Sequence, residues 1–245
     1  MSTITGGNGK VNQKKSHILA IGGHAGDLDL TAGAVIAKYT QSGHKATFLH
    51  LTPGEKGHPR LSPEDYAQQK IEEAHQFAEI VGADVRFLDY KDAELPVNDQ
   101  VKYEVADVIR EVKPDIIITH WKGSMHKDHT NTHYIVEDAR FYAGLPTIER
   151  ERPAHFAPKL YYADNWEDPY GFEPDVFIDI PDEAYETWVR AMKVYAYARG
   201  ETSGFPFIEY YKALTIVRGA PAGFKRAQAF AVPKGALVKR QRFFE

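Results

Sequence analysis

The chain has 245 residues, 43% of them hydrophobic, enough to bury the core of one enzyme-sized domain. No stretch approaches the roughly 20 consecutive apolar residues that span a bilayer, and 30 basic against 34 acidic residues leave a net charge of −4, which excludes the basic footprint of a nucleic-acid binder. Cysteine is absent, so disulfides and thiolate ligands are excluded, and any metal must be held by imidazole and carboxylate. That donor set suits zinc and also iron, cobalt or nickel.

Met1 to Lys15 is polar and glycine-bearing without a signal-peptide core, so 1–15 reads as a disordered tail, 16–245 as a single domain, and the location as cytoplasmic. His17 to Ile21 is an apolar run that reads as a buried strand, followed by the loop Gly23-His24-Ala25-Gly26-Asp27-Leu28-Asp29. Leu30 to Thr40 carries a helical pattern ending before Gly43, and Ala46 to Leu51 is a second strand. Beyond the loop 52–60, Ser62 and Pro63 with Asp65 form a helix start: a cap, a proline in the first turn, and an acid at the positive end. Ala67, Ile71, Ala74, Ala78 and Val81 mark the expected inner face of that helix, and Gly82 stops it. Val85 to Leu88 is a short strand, Asn98 to Val112 a helix with Val101, Val105, Val108 and Ile109 inward, and Ile116 to Thr119 a fourth strand. A helix over about 129–142, strands at Leu160–Ala163 and Val176–Ile180, a helix from Pro181 to about Ala198 and another over Phe207–Leu214 complete the reading. The alternation of strands and helices predicts an α/β fold, a Rossmann-like, mostly parallel sheet with helices on both faces.

The loop 23–29 and the segment His126-Lys127-Asp128-His129 both leave the carboxyl end of a predicted strand, where ligands bind in open α/β sheets. His24, Asp27 and His129 therefore converge as candidate metal ligands. There is no Gly-x-Gly-x-x-Gly, and a histidine and two acids in the first loop oppose a pyrophosphate.

These residues resemble the PIG-L/LmbE-like de-N-acetylases, zinc hydrolases that remove an acyl group from amino-sugar derivatives. That family's motifs are His-Pro-Asp-Asp-x-Glu after the first strand and His-Pro-Asp-His after the fourth. Here they read His24-Ala25-Gly26-Asp27-Leu28-Asp29 and His126-Lys127-Asp128-His129. Leu51 to Gly57, Phe87 to Asp92, Ile109 to Asp115 and Gly223 to Phe230 match further family segments in the same order. The resemblance implies zinc, or another divalent metal, on His24, Asp27 and His129. It implies His126 as the group that stabilises an oxyanion or protonates the leaving amine, and Asp128 as a carboxylate orienting a histidine. The partner it implies is a small amino-sugar-like substrate, with no nucleic acid and no membrane, and the chain is expected to form a homo-oligomer.

Three departures stand out. The first acid of the opening motif, the family's general base, is Gly26 here; Asp29, Asp128 and Glu55 are candidates to replace it. Asp29 also has a plainer role, compensating charge at a helix start. Alternatively the substrate needs less base assistance, or the protein keeps its metal as a silent carbohydrate-binding relative or acts on a different sugar bond. Lys70, with Glu73, stands where many members have arginine, which removes the bidentate fork. Tyr195-Ala-Tyr-Ala-Arg199 replaces a His- and Gln-containing motif. Glu55 and Lys70, with Trp121 and Trp166 in loops after strands, are the expected substrate contacts, core packing being the competing expectation for the two indoles. Of eleven histidines, His133 is expected to be exposed and His120 to line the pocket or be buried. The basic stretch Lys234 to Arg242 reads as solvated or subunit-contacting.

Overall fold

The computed structural model describes residues 15–168 and 170–237; apart from Lys15 the expected N-terminal tail lies outside them, as does the basic stretch beyond residue 237. Seven strands form one sheet in the order β3-β2-β1-β4-β5-β7-β6: β1 (His17–His24), β2 (Lys45–Thr52), β3 (Asp84–Phe87), β4 (Ile116–His120), β5 (Lys159–Ala163), β6 (Val176–Asp179) and β7 (Ala227–Ala231). The five strands β3, β2, β1, β4 and β5 pair in parallel in that order, and β7 runs antiparallel to both its neighbours, so the expected mostly parallel α/β sheet is present. The seven helices among the described residues are α1 (Asp27–Thr31), α2 (Gly33–Gln41), α3 (Pro63–Val81), α4 (Asp99–Val112), α5 (Lys127–Ala143), α6 (Asp182–Met192) and α7 (Phe207–Gly219). None is long and apolar enough to cross a membrane.

Strand β1 shows why its sequence is an uninterrupted apolar run. Ile18 and Ala20 join a core with Val35 of α2, Phe77 of α3 and Trp188 of α6, whereas Leu19 and Ile21 join a second core with Val105 of α4 and Ile135 of α5. A central parallel strand is covered on both faces, so neither set of alternate residues has reason to be polar.

Three predicted elements differ in extent or orientation. The helix expected over 30–40 is two helices, because a Cβ on Gly33 would lie 2.8 Å from Trp188 and 2.9 Å from Phe77. The chain kinks to pass these rings, and the Gln228 side chain accepts from Val35 N (2.9 Å) and donates to Leu30 O (3.1 Å) across the break. Helix α3 buries Ala74, Ala78 and Val81 as expected, but its inner face also takes in Tyr66, Lys70, Glu73 and Phe77, whereas Ala67 and Ile71 are only half-buried. Helix α6 ends at Met192 rather than near Ala198; Lys193, Val194 and Tyr195 tighten to bonds three residues back, and Ala196 N then donates to the Glu73 carboxylate at 3.1 Å. Strand β7, which contributes Gln228, is absent from the sequence reading.

Buried Arg110 of α4 fastens the far end of α5, the helix that carries His129. Its five N–H donors reach the carbonyls of Ala143 (3.1 Å), Ile148 (3.0 Å), Arg152 (3.2 Å), Tyr142 (3.1 Å) and Leu145 (2.9 Å). Arg110→Met leaves these carbonyls without that donor and is expected to lower unfolding free energy by about 3 kcal/mol. Equilibrium urea unfolding checks this, and an unchanged midpoint would contradict it.

Candidate metal centre

Strand order reverses between β1 and β4, and the loops leaving these two strands diverge to opposite faces of the sheet, opening a crevice at their carboxyl ends. A cavity of about 290 Å³ lies there, with His24, Asp27, His126, His129, Lys70, Asp92, Trp166, Glu167 and Tyr197 in its walls. His24 is the last residue of β1, Asp27 the first of α1, and His126 the N-cap of α5, its Nδ1 accepting from Asp128 N at 3.2 Å.

The expected trio meets at one atom. Asp27 Oδ2 is 3.1 Å from His24 Nδ1 and 3.2 Å from His129 Nε2, and accepts from His24 N at 2.7 Å. Among the described residues, three overlapping sets have ligand atoms within 4.8 Å of one another: His24, His126 and His129; Asp27, His120 and His129; and His24, Asp92 and Asp128. His120 Nε2 is also 3.2 Å from Asp27 Oδ2, but it accepts the Gly23 N–H at 3.0 Å. A backbone N–H only donates, so this lone pair is taken and His120 is the weaker ligand candidate. Burial and neighbouring His129 push His120 down to about 3, which keeps the ring neutral.

His24 and His129 each have a carboxylate on the other nitrogen. His24 Nε2 lies 3.1 Å from Asp92 Oδ1 and 3.3 Å from Asp128 Oδ2, and His129 Nδ1 lies 3.2 Å from Glu167 Oε2. Burial opposes the ionised form of Asp27, but the charges of His129 and His24 outweigh it and hold the carboxyl well below the usual range. Asp92, against the same burial, is drawn down to about 2 by its bond with His24. Four carboxylates around the two histidines form an anionic pocket whose donor set fits a divalent cation, and the outer carboxylates supply the support that metal-bound imidazoles require.

Of the expected substrate contacts, Lys70 and Trp166 line the cavity, and Trp166 stacks on Phe205 with ring centroids 4.4 Å apart. Glu55 and Trp121 do not line it. Glu55 Oε1 accepts from Asp92 N at 3.0 Å and so holds the Asp92 loop, while Trp121 is buried in the second core and donates to Tyr170 O at 2.8 Å. The three candidate replacement bases are likewise committed elsewhere. Asp128 is fully buried between His24 and Ala93 N, and Asp29 sits beneath the loop, accepting from Tyr195 Oη (2.7 Å) and Gly26 N (3.2 Å). Burial raises the Asp29 carboxyl, and its geometry fits the plainer role in supporting the helix start. His133, expected at the surface, is buried and donates through Nδ1 to His120 O at 2.9 Å, fixing the end of β4.

Sequence reasoning gave Asp92 no role, passed over Glu167, and marked Tyr197 only as part of the Tyr195 to Arg199 departure. Asp92 follows β3 and Glu167 follows β5, so the strand-exit rule that found His24 and His129 also reaches them. Tyr197 follows the early end of α6. Gly26 has φ +103°, a left-handed conformation, and a Cβ there would run into the Tyr197 hydroxyl. The space of the family's missing acid is filled, and Tyr197 Oη donates to Gly26 O at 2.9 Å.

With its His-Asp-His cluster at the switch point of a Rossmann-like sheet, the chain has the architecture of a metal-dependent hydrolase. The sequence model of the PIG-L family, GlcNAc-PI de-N-acetylase, matches residues 19–140, which contain both motifs. Diacetylchitobiose deacetylase of Thermococcus kodakarensis is 28% identical over 230 residues, covering 90% of this chain and 84% of that protein. The 4-oxalmesaconate hydratase of Pseudomonas putida is 25% identical over 221 residues, covering 86% and 83%. Among solved structures, the 4-carboxy-2-hydroxymuconate hydratase of Pseudomonas putida superposes with TM-score 0.82 at 22% identity over 94% of this chain and 99% of that one. The N,N'-diacetylchitobiose deacetylase of Pyrococcus horikoshii gives 0.78 at 20% identity over 94% and 88%. Over residues 19–140, which hold both motifs, the chain is similar to the PIG-L/LmbE-like de-N-acetylase family, and its relatives include both deacetylases and a hydratase.

Asp29→Asn turns one acceptor facing the Gly26 N–H or Tyr195 hydroxyl into a donor, and is expected to cost about 1–3 kcal/mol of stability with metal content unchanged. Calorimetric unfolding alongside metal analysis checks this; loss of metal at native stability would return Asp29 to the site.

Proposed function

We propose that this protein is a zinc-dependent hydrolase that removes an acyl group, acetyl in the first instance, from an N-acylated amino sugar or a related small amide. The meeting of His24, Asp27 and His129 at Asp27 Oδ2, with a carboxylate behind each imidazole, is the observation that carries this reading. Zinc held by these three residues would polarise the amide carbonyl and lower the pKa of a coordinated water to about 7. Asp92 and Asp128 keep the His24 Nε2 proton in place and direct Nδ1 toward the metal. His126 accepts Asp128 N through Nδ1, so its Nε2 carries the proton and serves as donor to the oxyanion or the leaving amine. Lys70 and Trp166 contact the substrate. Of the carboxylates lining the cavity, Asp27 is a ligand and Asp92 is engaged by both His24 and Lys56 N; Glu167 faces His129 Nδ1 but is the most exposed of the three, and it is the group assigned to take the proton of the attacking water. The reading extends to a cytoplasmic homo-oligomer, with exposed Tyr134 and Phe141 on α5 offering apolar surface to a second copy.

The direct test is free-amine release from a panel of N-acetylated amino sugars and conjugates by zinc-loaded protein against a chelated control. Chelator-sensitive release is expected; none, with zinc bound, would refute the reading. His24→Ala and His129→Ala should each lose stoichiometric zinc by elemental analysis while retaining the native circular dichroism spectrum. Glu167→Gln should lower the rate about 10²- to 10⁴-fold with zinc retained, and an undiminished rate would remove it as the base. Gly26→Asp would restore the first acid of the family's opening motif. With Tyr197 in the way and a positive φ, that single substitution is instead expected to lower stability without raising the rate.

One observation favours a second reading, the addition of water to an activated double bond. The general-base acid is absent at residue 26, and two of the similarities above are to hydratases. Loss of conjugated-acid absorbance without amine release would select it.

A further inference from the structure

The three departures from the family pattern, Gly26, Lys70 and Tyr195 to Arg199, are scattered in sequence and meet in space. Lys70 Nζ lies 4.2 Å from the centroid of the Tyr197 ring and donates to Ala25 O, and Tyr197 Oη occupies the volume that a side chain at residue 26 would enter. Where the family places a proton acceptor, this chain therefore places a proton-bearing phenol. Tyr197 lines the same cavity as His24, Asp27 and His129. Burial, followed by the charges of Asp29 and Asp27, pushes the phenol well above its ordinary value, so the hydroxyl keeps its proton.

We propose that the Tyr197 hydroxyl is a catalytic hydrogen-bond donor to the oxygen anion of the substrate's acyl group at the metal centre. This deepens the metal-centre reading above and rests on it. Two features make the donor available. Gly26 O accepts from Leu30 N at 3.1 Å as well as from Tyr197, so the hydroxyl can rotate toward a ligand without leaving that carbonyl unpaired. Lys70 Nζ lies over the ring face and helps fix the orientation of the phenol. A donor already aimed at developing negative charge costs no reorganisation during the reaction, and Tyr197 is half-buried in the wall of the cavity. Gly26 is then required for a steric reason: any side chain there would displace the hydroxyl.

Acetate, an oxygen anion of the acyl class, is the probe. Its affinity for zinc-loaded protein is measured by titration calorimetry in native and Tyr197→Phe forms, with zinc content and unfolding midpoint measured in both. The variant is expected to retain zinc and bind acetate about tenfold or more weakly, and affinity within twofold of native would overturn the proposal. Should Tyr197→Phe lose zinc or fail to fold, the near-ultraviolet tyrosine difference spectrum on acetate binding decides. A band in the native protein that persists in Tyr66→Phe and Tyr211→Phe supports the proposal, and no band overturns it. Failure of the native protein to take up zinc overturns the metal reading and this inference together, whereas zinc uptake with equal acetate affinities overturns this inference alone.

Discussion

The site depends on how the two nitrogens of His24 are divided. One faces Asp27 and the other faces Asp92 and Asp128, two buried carboxylates delivered by the loop after β3 and by the first turn of α5. A ring at a strand exit has no tautomer preference strong enough to organise a metal centre, so the orientation must come from these acids. Much of the surrounding structure keeps them in place: Glu55 holds Asp92 N, Asp128 accepts from Ala93 N, and Arg110 fastens the distant end of the helix bearing Asp128 and His129.

The same logic runs through the other half of the crevice. Glu73 takes the backbone N–H of Ala196 just past the early end of α6, and the segment turns back so that Tyr195 reaches Asp29 and Tyr197 reaches Gly26. Lys70, one turn earlier on α3 than Glu73, binds the carbonyl of Ala25. Buried charge is costly unless every member finds a partner, and here the partners are largely backbone groups of the metal loop and of the segment packed on it. The loop's shape is therefore set by α3 and the chain after α6 as much as by its own sequence.

The sheet and the metal cluster were legible because both leave local signatures. Strand β1 is apolar throughout since it is covered on both faces, and His24 and His129 follow strands at the exits where the topology converges. What was not legible is long-range. Nothing local to Gly33 announces Trp188 and Phe77, so the split between α1 and α2 could not be read, and a helical pattern continues past Met192 while Glu73, the acceptor for Ala196 N, lies 123 residues away. Periodicity on α3 favoured its alanines and Ile71, but the buried stripe includes a lysine and a glutamate whose partners come from other elements. Asp29 and Glu55 looked available for proton transfer because acids in a motif loop have no visible partners until the chain is folded.

The bridge made by Gln228 has a consequence for how this architecture changes over time. Residues 19–140 hold His24, Asp27 and His129, yet the break after α1 is spanned by an amide from β7, the ring at Gly26 comes from beyond α6, and the carboxylate behind His129 follows β5. The N-terminal half thus carries the candidate ligands and the C-terminal half sets their surroundings. Substitutions in the second half can retune the chemistry while the signature motifs stay intact, so catalytic divergence can proceed where motif comparison is blind to it.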